Sequence, residues 1–489
     1  MKLKYQKLST LLLAFFVFSA VYSQQINTMY FMEPVPQRNE LNPAFQPSCI
    51  DLYVGVPVLS TIQVYAGNTS LPVFKIIGKN SNTNQIGNLL QPKDSSGGFG
   101  SNYGDVSSYL KQQNLFFTNV QINLLSFGYR EDKDLFFTFS LASKVNANIG
   151  VNKDLFGLIL NTDTIPFRSY NLWGSGVELT AYKELSFGIS KKVSDNFTHG
   201  GRIKILFGDA NLSLRVSKCS FTADTMSGAY VANTNIKLNG SIPFTNVFFT
   251  PMGFVNTNTT QFDSATTLLN YILNLKNPGL AIDYGFVYKP IEDLSLSGSV
   301  IDLGFIHWGT NVFNETLNKI QMKIPQNQGS AAPNFDPSHV YNYIAANYPA
   351  DTSRNSYFSW LSAKIYLGAS YYIRRDLSLG LLSRTEIFRS HFYEQMVVSA
   401  NYYPIKNVAG TLSYSFVNNG MTSIGAGVNF RLGAFNLYLI TDNIPFYYTK
   451  QFEPEISKPM PDMVKALDIR IGINVALGCK KIRDIPSCE

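Results

Sequence analysis

Residues 467–477 read LDIRIGINVAL. Leu467, Ile469, Ile471, Ile473, Val475 and Leu477 fall on the odd positions, and Asp468, Arg470, Gly472, Asn474 and Ala476 on the even ones. A side-chain period of two is that of a β-strand with one apolar face and one face that accepts charge. Two apolar media are open to the odd face: the core of a soluble sandwich, or lipid. The rest of the chain decides between them.

The same alternation recurs along most of the sequence. In DLFFTFSLASKVNANIG (134–150), Leu135, Phe137, Phe139, Leu141, Val145, Ala147 and Ile149 share one face, opposite Thr138, Ser140, Lys144, Asn146 and Asn148. In LSAKIYLGASYY (361–372), Leu361, Ala363, Ile365, Leu367, Ala369 and Tyr371 align, opposite Ser362, Lys364 and Ser370. In LAIDYGFVYK (280–289), Leu280, Ile282, Tyr284, Phe286 and Tyr288 align, opposite Asp283 and Lys289. Noisier segments of the same kind bring the expectation to about fourteen strands. Many reach roughly ten residues, longer than the usual five or six of globular strands and the length a tilted membrane strand needs.

Composition points the same way. Only 15% of the 489 residues are charged and 14% are aromatic, with 28 Tyr and 36 Phe. Mean hydropathy is −0.02. Low charge without long apolar runs suits strands that show one face to lipid and one to water. Tyr371-Tyr372, Tyr402-Tyr403, Phe446-Tyr447-Tyr448 and Trp308 lie at strand ends and turns, where an interfacial aromatic girdle belongs. After the first 20 residues no apolar run reaches the length of a spanning helix.

The start of the chain has the form of an export signal. Lys2, Lys4 and Lys7 precede the apolar run LLLAFFVFSA (11–20), and Val21 and Ser23 stand at small-residue cleavage positions. This predicts a signal peptide over 1–23, removed after Ser23. The net charge of +7 is mild and forms no basic cluster, so no nucleic-acid partner is expected. Of the four cysteines, Cys49, Cys219, Cys479 and Cys488, export permits pairing. Cys479 and Cys488 flank a short polar tail and can pair, or Cys49 can join one of them; spacing does not choose.

Connections are of two kinds. Short turns such as YKPIEDL (288–294), IRRDL (373–377) and YPIKNVAG (403–410) join hairpins. Longer insertions lie at 78–113, at 251–278, where SATTLLNYILNL reads as an amphipathic helix, and at 323–356, where SHVYNYIAANY reads as another. Short turns on one rim and long loops on the other is the habit of outer-membrane barrels. In LSLSGSVIDLGF (294–305), Leu294, Leu296 and Val300 share the even face, and Ile301, Leu303 and Phe305 carry the apolar face afterwards. Such a phase switch predicts a β-bulge between Gly298 and Gly304. Asp302 inside it either points into the lumen or hydrogen-bonds the distorted backbone.

Catalytic and metal-binding patterns do not emerge. His199, His307, His339 and His391 are the only histidines, and no GxSxG, HExxH or GxxxxGK[ST] is present. No cofactor, no metal and no enzymatic activity are expected.

Three stretches carry a family resemblance: YFMEPVPQRNELNPAF (30–45), GLAIDYGFVYKPIEDLSLSGSVIDLGFIHW (279–308) and TDNIPFYY (441–448). Together they resemble an outer-membrane family of Bacteroidota classed as a domain of unknown function. More distantly the chain is similar to PorV/PorP-type barrels of the type IX secretion system and to FadL-type transporters of long-chain fatty acids. These share an early NPA-like segment, here Asn42-Pro43-Ala44, and a barrel of about fourteen strands.

The resemblance implies an all-β transmembrane antiparallel barrel over 49–478, exported to the outer membrane, with a periplasmic tail over 479–489. It implies that 24–48 is either a plug, carried by Asn42, Pro43, Ala44 and Phe45, or a periplasmic arm. In a FadL-like barrel the kink at Gly298, Asp302 and Gly304 would open a lateral gate. Two functions follow as expectations. One is FadL-like transport of small or hydrophobic molecules. The other is a non-enzymatic partner or scaffold among envelope and secretion proteins. Outer-membrane lipid is the expected surround in both.

Overall fold

In the computed structural model the odd face of 467–477 lies outside. Leu467, Ile469 and Ile471 are 38%, 46% and 39% exposed, while Asp468, Arg470 and Asn474 are 7%, 2% and 0% exposed. A soluble sandwich would show the reverse. The structure describes residues 27–47, 50–70, 110–159, 169–224, 229–242, 275–325, 337–388, 391–405, 407–417, 421–444, 448–449, 460–461 and 466–478. The predicted signal peptide, the helix read over 264–275, and Cys49, Cys479 and Cys488 lie outside the described residues.

The sheet is a closed 14-strand antiparallel barrel. Its strands are β1 (Leu52–Gly55, continued by Ile62–Asn68), β2 (Gln113–Arg130), β3 (Leu135–Asn152), β4 (Gly176–Ser194) and β5 (Phe197–Asp224). Next come β6 (Pro278–Ile291), β7 (Leu294–Trp308), β8 (Ala363–Arg374), β9 (Leu377–Phe388) and β10 (His391–Ile405). The last are β11 (Val408–Val417), β12 (Met421–Leu432), β13 (Phe435–Thr441) and β14 (Ala466–Leu477). Closure is made by β14 on β1, with Leu52 opposite Leu477 and Ile62 opposite Ile471. A closed sheet has no edge, so its ladder groups find partners without water, as a hydrocarbon surround requires. Pro57, which has no N–H to give, sits in the break of β1, and Ile473 bridges the break through Val56 and Leu59.

One rim carries the tight turns. Asp195-Asn196, Glu292-Asp293, Arg375-Asp376 and Gly433-Ala434 each join neighbouring strands there. Gly433 takes φ +62, which only a residue without Cβ adopts cheaply. The opposite rim carries the long connections and is taller. The first half of β5 pairs with β6, from Phe197–Tyr288 to Phe207–Pro278. Its second half pairs with Ala229–Ser241, which pairs in turn with Val312–Pro325. The wall therefore continues above the barrel. The helix Pro337–Asn347 rests on it, with Val340 packed among Tyr230, Ala232, Met322 and Ile324. The column beside β5 is thus built of two segments, and Asn277 staples the break. Its amide donates to the Gly208 carbonyl at 3.2 Å and accepts from the Gly309 and Thr310 N–H groups, each at 3.0 Å.

The outside of the barrel is an apolar belt with aromatic residues toward the long-loop rim. There Phe305 lies 5.5 Å from Phe358 and 5.6 Å from Trp360, both exposed. With the wall's apolar side turned out, the wall alone does not supply an apolar core. The largest buried cluster instead draws Met29, Tyr30, Phe31, Met32, Val35, Leu41 and Phe45 from the N-terminal segment.

Candidate functional site

Bore size sets the problem that this segment answers. Eight strands leave a barrel interior that side chains fill, and sixteen to eighteen leave an aqueous channel. Fourteen strands lie near the open end of that range. The inside of this barrel is occupied by residues 27–47, which form two 3-10 turns, Thr28–Phe31 and Pro36–Glu40. Pro34, Pro36, Pro43 and Pro47 keep the segment out of the sheet, because each lacks a ladder donor.

The segment bonds to the wall around most of its circumference. The Thr28 N–H and hydroxyl both donate to Asp442, and the Thr28 and Ser413 hydroxyl oxygens are 2.6 Å apart. Tyr30 meets Ser297 at 2.9 Å, and the Tyr372 hydroxyl donates to Glu33. Asn436 donates to the Pro34 carbonyl at 3.1 Å, Arg202 to the Asn39 carbonyl at 2.8 Å and Ser299 to the Leu41 carbonyl at 2.6 Å. Arg130 closes the lower end, donating to the Pro47 carbonyl at 2.7 Å. Apolar side chains fill the seat between these bonds. Tyr30 stacks on Tyr366 and meets Phe45 edge-on at 4.9 Å, and Arg38 lies 3.9 Å over the Phe45 ring.

Asn42, Pro43, Ala44 and Phe45 all lie in this segment inside the barrel. The Asn42 amide donates to the Phe286 and Gly298 carbonyls, both at 3.2 Å, and its oxygen accepts from the Ala44 N–H at 3.0 Å. Asn42 and Gly298, which the sequence assigned to separate features, are therefore in contact. Inward glycines make the fit. A Cβ on Gly368 would fall 2.6 Å from the Tyr30 ring, and one on Gly200 would fall 2.5 Å from the Pro43 carbonyl oxygen.

Strand β7 is irregular on both sides at one height. Its ladder with β6 shifts between Val300 and Leu303. Its pairing with β8 ends at Ile301–Lys364, and the Gly304 carbonyl accepts from the Leu361 N–H at 2.9 Å. Asp302 has φ +59. The phase switch differs in detail from the sequence reading, because Ile301 faces inward beside Asp302, while Val300 and Leu303 face outward. A left-handed residue turns two successive side chains to the same side.

Asp302 belongs to an ionic cluster on the inward face of the wall, beside the N-terminal segment. Lys204 lies 2.5 Å from Asp302 and 2.8 Å from Asp283, and Lys364 lies 2.7 Å from Asp302. Lys144 is 2.7 Å from Glu184, and Arg202 is 3.4 Å from Asp283. Arg470 of β14 reaches Glu40 of the N-terminal segment at 2.5 Å. Between segment and wall these groups line a cavity of ≈ 70 Å³. The sequence showed Lys144, Asp283, Lys364 and Arg470 only as members of polar faces. What marks them is charge at mid-strand on the inward face.

His199, His307 and His339 stand apart from this cluster. His199 lies against Phe197 and Tyr284, His307 against Phe358, and a His339 ring nitrogen is 3.0 Å from the Pro325 carbonyl oxygen. Cys219 is a buried free thiol in the apolar cluster under the helix Pro337–Asn347. Among the described residues no group of three His, Cys, Asp or Glu side chains is placed to hold a metal.

Residues 43–442 match the profile of a family of unknown function (DUF5723). No curated protein matches the chain. Among solved structures it is similar to the toluene transporter TbuX of Ralstonia pickettii, at 10% identity over 91% of this chain and 94% of that one, with a TM-score of 0.37. It is similar to a Pseudomonas aeruginosa FadL homologue, at 10% identity over 91% and 94%, with a TM-score of 0.38. The monoaromatic hydrocarbon channel TodX, in a deletion mutant, gives 8% identity over 89% and 93%, with a TM-score of 0.40.

Proposed function

We propose, on the premise that this chain belongs to the family of unknown function DUF5723, that it is an outer-membrane barrel admitting small molecules and held closed by residues 27–47 acting as a plug. One observation carries the reading: a barrel wide enough for a channel has its bore taken up by a segment that lies outside the sheet and meets the wall through side-chain contacts. Hydrogen bonds and ion pairs hold the rest, and these exchange. Asn27 and Thr28 are buried against β10, β11 and Asp442, so the segment is seated along its whole described length. Tight turns in bacterial barrels face the periplasm, so the plug enters from that side.

The lining supports small polar solutes on the luminal route. A hydrocarbon placed beside Lys144, Glu184, Lys204, Asp302 and Arg470 would strip water from charged groups and return nothing. The kink at Gly298, Asp302 and Gly304 stands beside this route as a proposed lateral gate, with Lys204 and Lys364 as its bolts. The barrel reading needs no catalytic group.

The test is a reversible staple. Thr28→Cys with Ser413→Cys places two thiols where the hydroxyls are now 2.6 Å apart. In liposomes of the reconstituted full chain, the oxidised pair is expected to stop osmotic swelling by small polar solutes, and a reductant to restore it. Equal swelling in both states would end the plug reading. A second reading, a scaffold for envelope proteins, has its own observation in the raised wall of β5, Ala229–Ser241 and Val312–Pro325 capped by a helix. In vivo cross-linking from Lys323 on that wall tests it by whether a partner is captured.

A further inference from the structure

Glu40 is bound in the way a free acid would be. Its carboxylate accepts from Arg470 Nη2 at 2.5 Å, from Gln121 Nε2 at 3.0 Å and from Asn123 Nδ2 at 2.8 Å. All three donors belong to the wall. The acceptor alone belongs to the plug. Arg470 is 2% exposed and lines the cavity, yet its Nε has no hydrogen-bond partner. Its Nη1 is engaged by Gln63 at 3.1 Å. Glu40 thus takes one arm of a guanidinium fork whose Nε has no hydrogen-bond partner, with Gln63 and the Tyr438 hydroxyl beside the same group. A carboxylate not tied to the plug can take both Nη2 and Nε in the side-on, two-bond geometry that arginine offers.

Charge agrees with this. The cluster holds the cations Lys144, Arg202, Lys204, Lys364 and Arg470 and the carboxylates Glu40, Glu184, Asp283 and Asp302. The neighbouring pair Arg384–Glu386 leaves the balance unchanged. Cations are in excess by one, and by two once Glu40 is withdrawn. A water takes about 10–15 Å³ of such space, so the ≈ 70 Å³ beside Arg470 has room for a small organic acid.

We propose that Arg470, Gln121 and Asn123 form a binding site for small carboxylate anions, which Glu40 of the plug occupies as a tethered competitor. An incoming acid that takes the place of Glu40 removes the ion pair between the plug and Arg470 of β14. This deepens the plug reading and rests on it for the step of release, but not for the step of binding. No covalent chemistry is involved.

Binding is measured on the full chain in detergent by titration calorimetry, with acetate as probe and chloride and inorganic phosphate beside it. Glu40→Gln keeps the size of the side chain and removes its charge. Acetate is expected to bind this variant about tenfold more tightly than the wild type, a difference of about 1.4 kcal/mol. Acetate is also expected to bind ahead of both other anions. The Asn123→Ala variant, made in the Glu40→Gln background, is expected to lose the gain. Equal affinity in wild type and Glu40→Gln overturns the competitor role, and equal binding of acetate and chloride overturns the carboxylate site. A folded barrel, checked by its mobility shift on unheated gels, is the condition for reading either variant. Failure of the staple to stop swelling sinks the plug alone and leaves these affinities to decide the site.

Discussion

At the scale of single residues, Asp302 joins backbone and charge. Its φ of +59 suits Asn as well as Asp, so Asp302→Asn keeps the kink and removes only the charge. Lys204 keeps Asp283, but Lys364 loses the carboxylate 2.7 Å away. Breaking a buried pair from one side costs about 3–5 kcal/mol. The expected result is a lower temperature for conversion of the folded to the unfolded band on gels, and an unchanged temperature would show that Lys364 finds another partner. Gly368 acts by absence. A Leu there has its Cβ 2.6 Å from the Tyr30 ring and 2.9 Å from the Ser297 hydroxyl, which are themselves joined by a hydrogen bond. Gly368→Leu is expected to leave the barrel folded and to raise conductance in planar bilayers by pushing the plug from its place. Neither Gly368 nor Glu40 has a mark in the sequence. The pair Glu40–Arg470 spans 430 positions and Lys204–Asp302 spans 98, and no local spacing reports such meetings.

At the scale of elements, the strands were legible from their alternation, and the segment inside them was pointed to by the resemblance alone. Alternation is imposed by the wall itself, whose two faces have different surroundings, so every long strand repeats it. β10 shows its use. Val398 is 44% exposed and Val397 is 0% exposed, two neighbours in different media. Val398→Arg, near the middle of the strand, is expected to cost about 2–4 kcal/mol, read from the denaturant midpoint for folding into vesicles. Where residues 27–47 pack on the wall, the pattern fails in an informative way. Ile301, Tyr366, Leu382, Val397 and Ile440 are apolar and face inward, because Met29, Tyr30, Phe31 and Phe45 lie against them. Residues 27–47 have no period of their own, since 3-10 turns and prolines follow the shape of the bore. The match of Asn42 to an NPA-like segment pointed to this stretch. Its hydrogen bonds to the Phe286 and Gly298 carbonyls belong to tertiary structure.

At the scale of the whole molecule, inside and outside are exchanged relative to a soluble protein. The wall turns its apolar side chains outward, and the N-terminal segment brings the apolar core with it. That core is made by the earliest described part of the chain and is locked by the latest. Arg470 and Asn474 of β14 hold Glu40 and Gln37, and Asp468 of the same strand braces Asp442, which holds Thr28. During biogenesis the first segment must wait for the last strand before its polar groups are matched. The seam where β14 meets β1 would then be checked from within: a chain lacking β14 leaves residues 27–47 without the contacts of Arg470 and Asn474. A chain truncated before Ala466 is expected to show residues 27–47 cut by added protease while the intact barrel resists. The cell would thereby possess a chemical signature, readable at one rim, of whether the ring was ever finished.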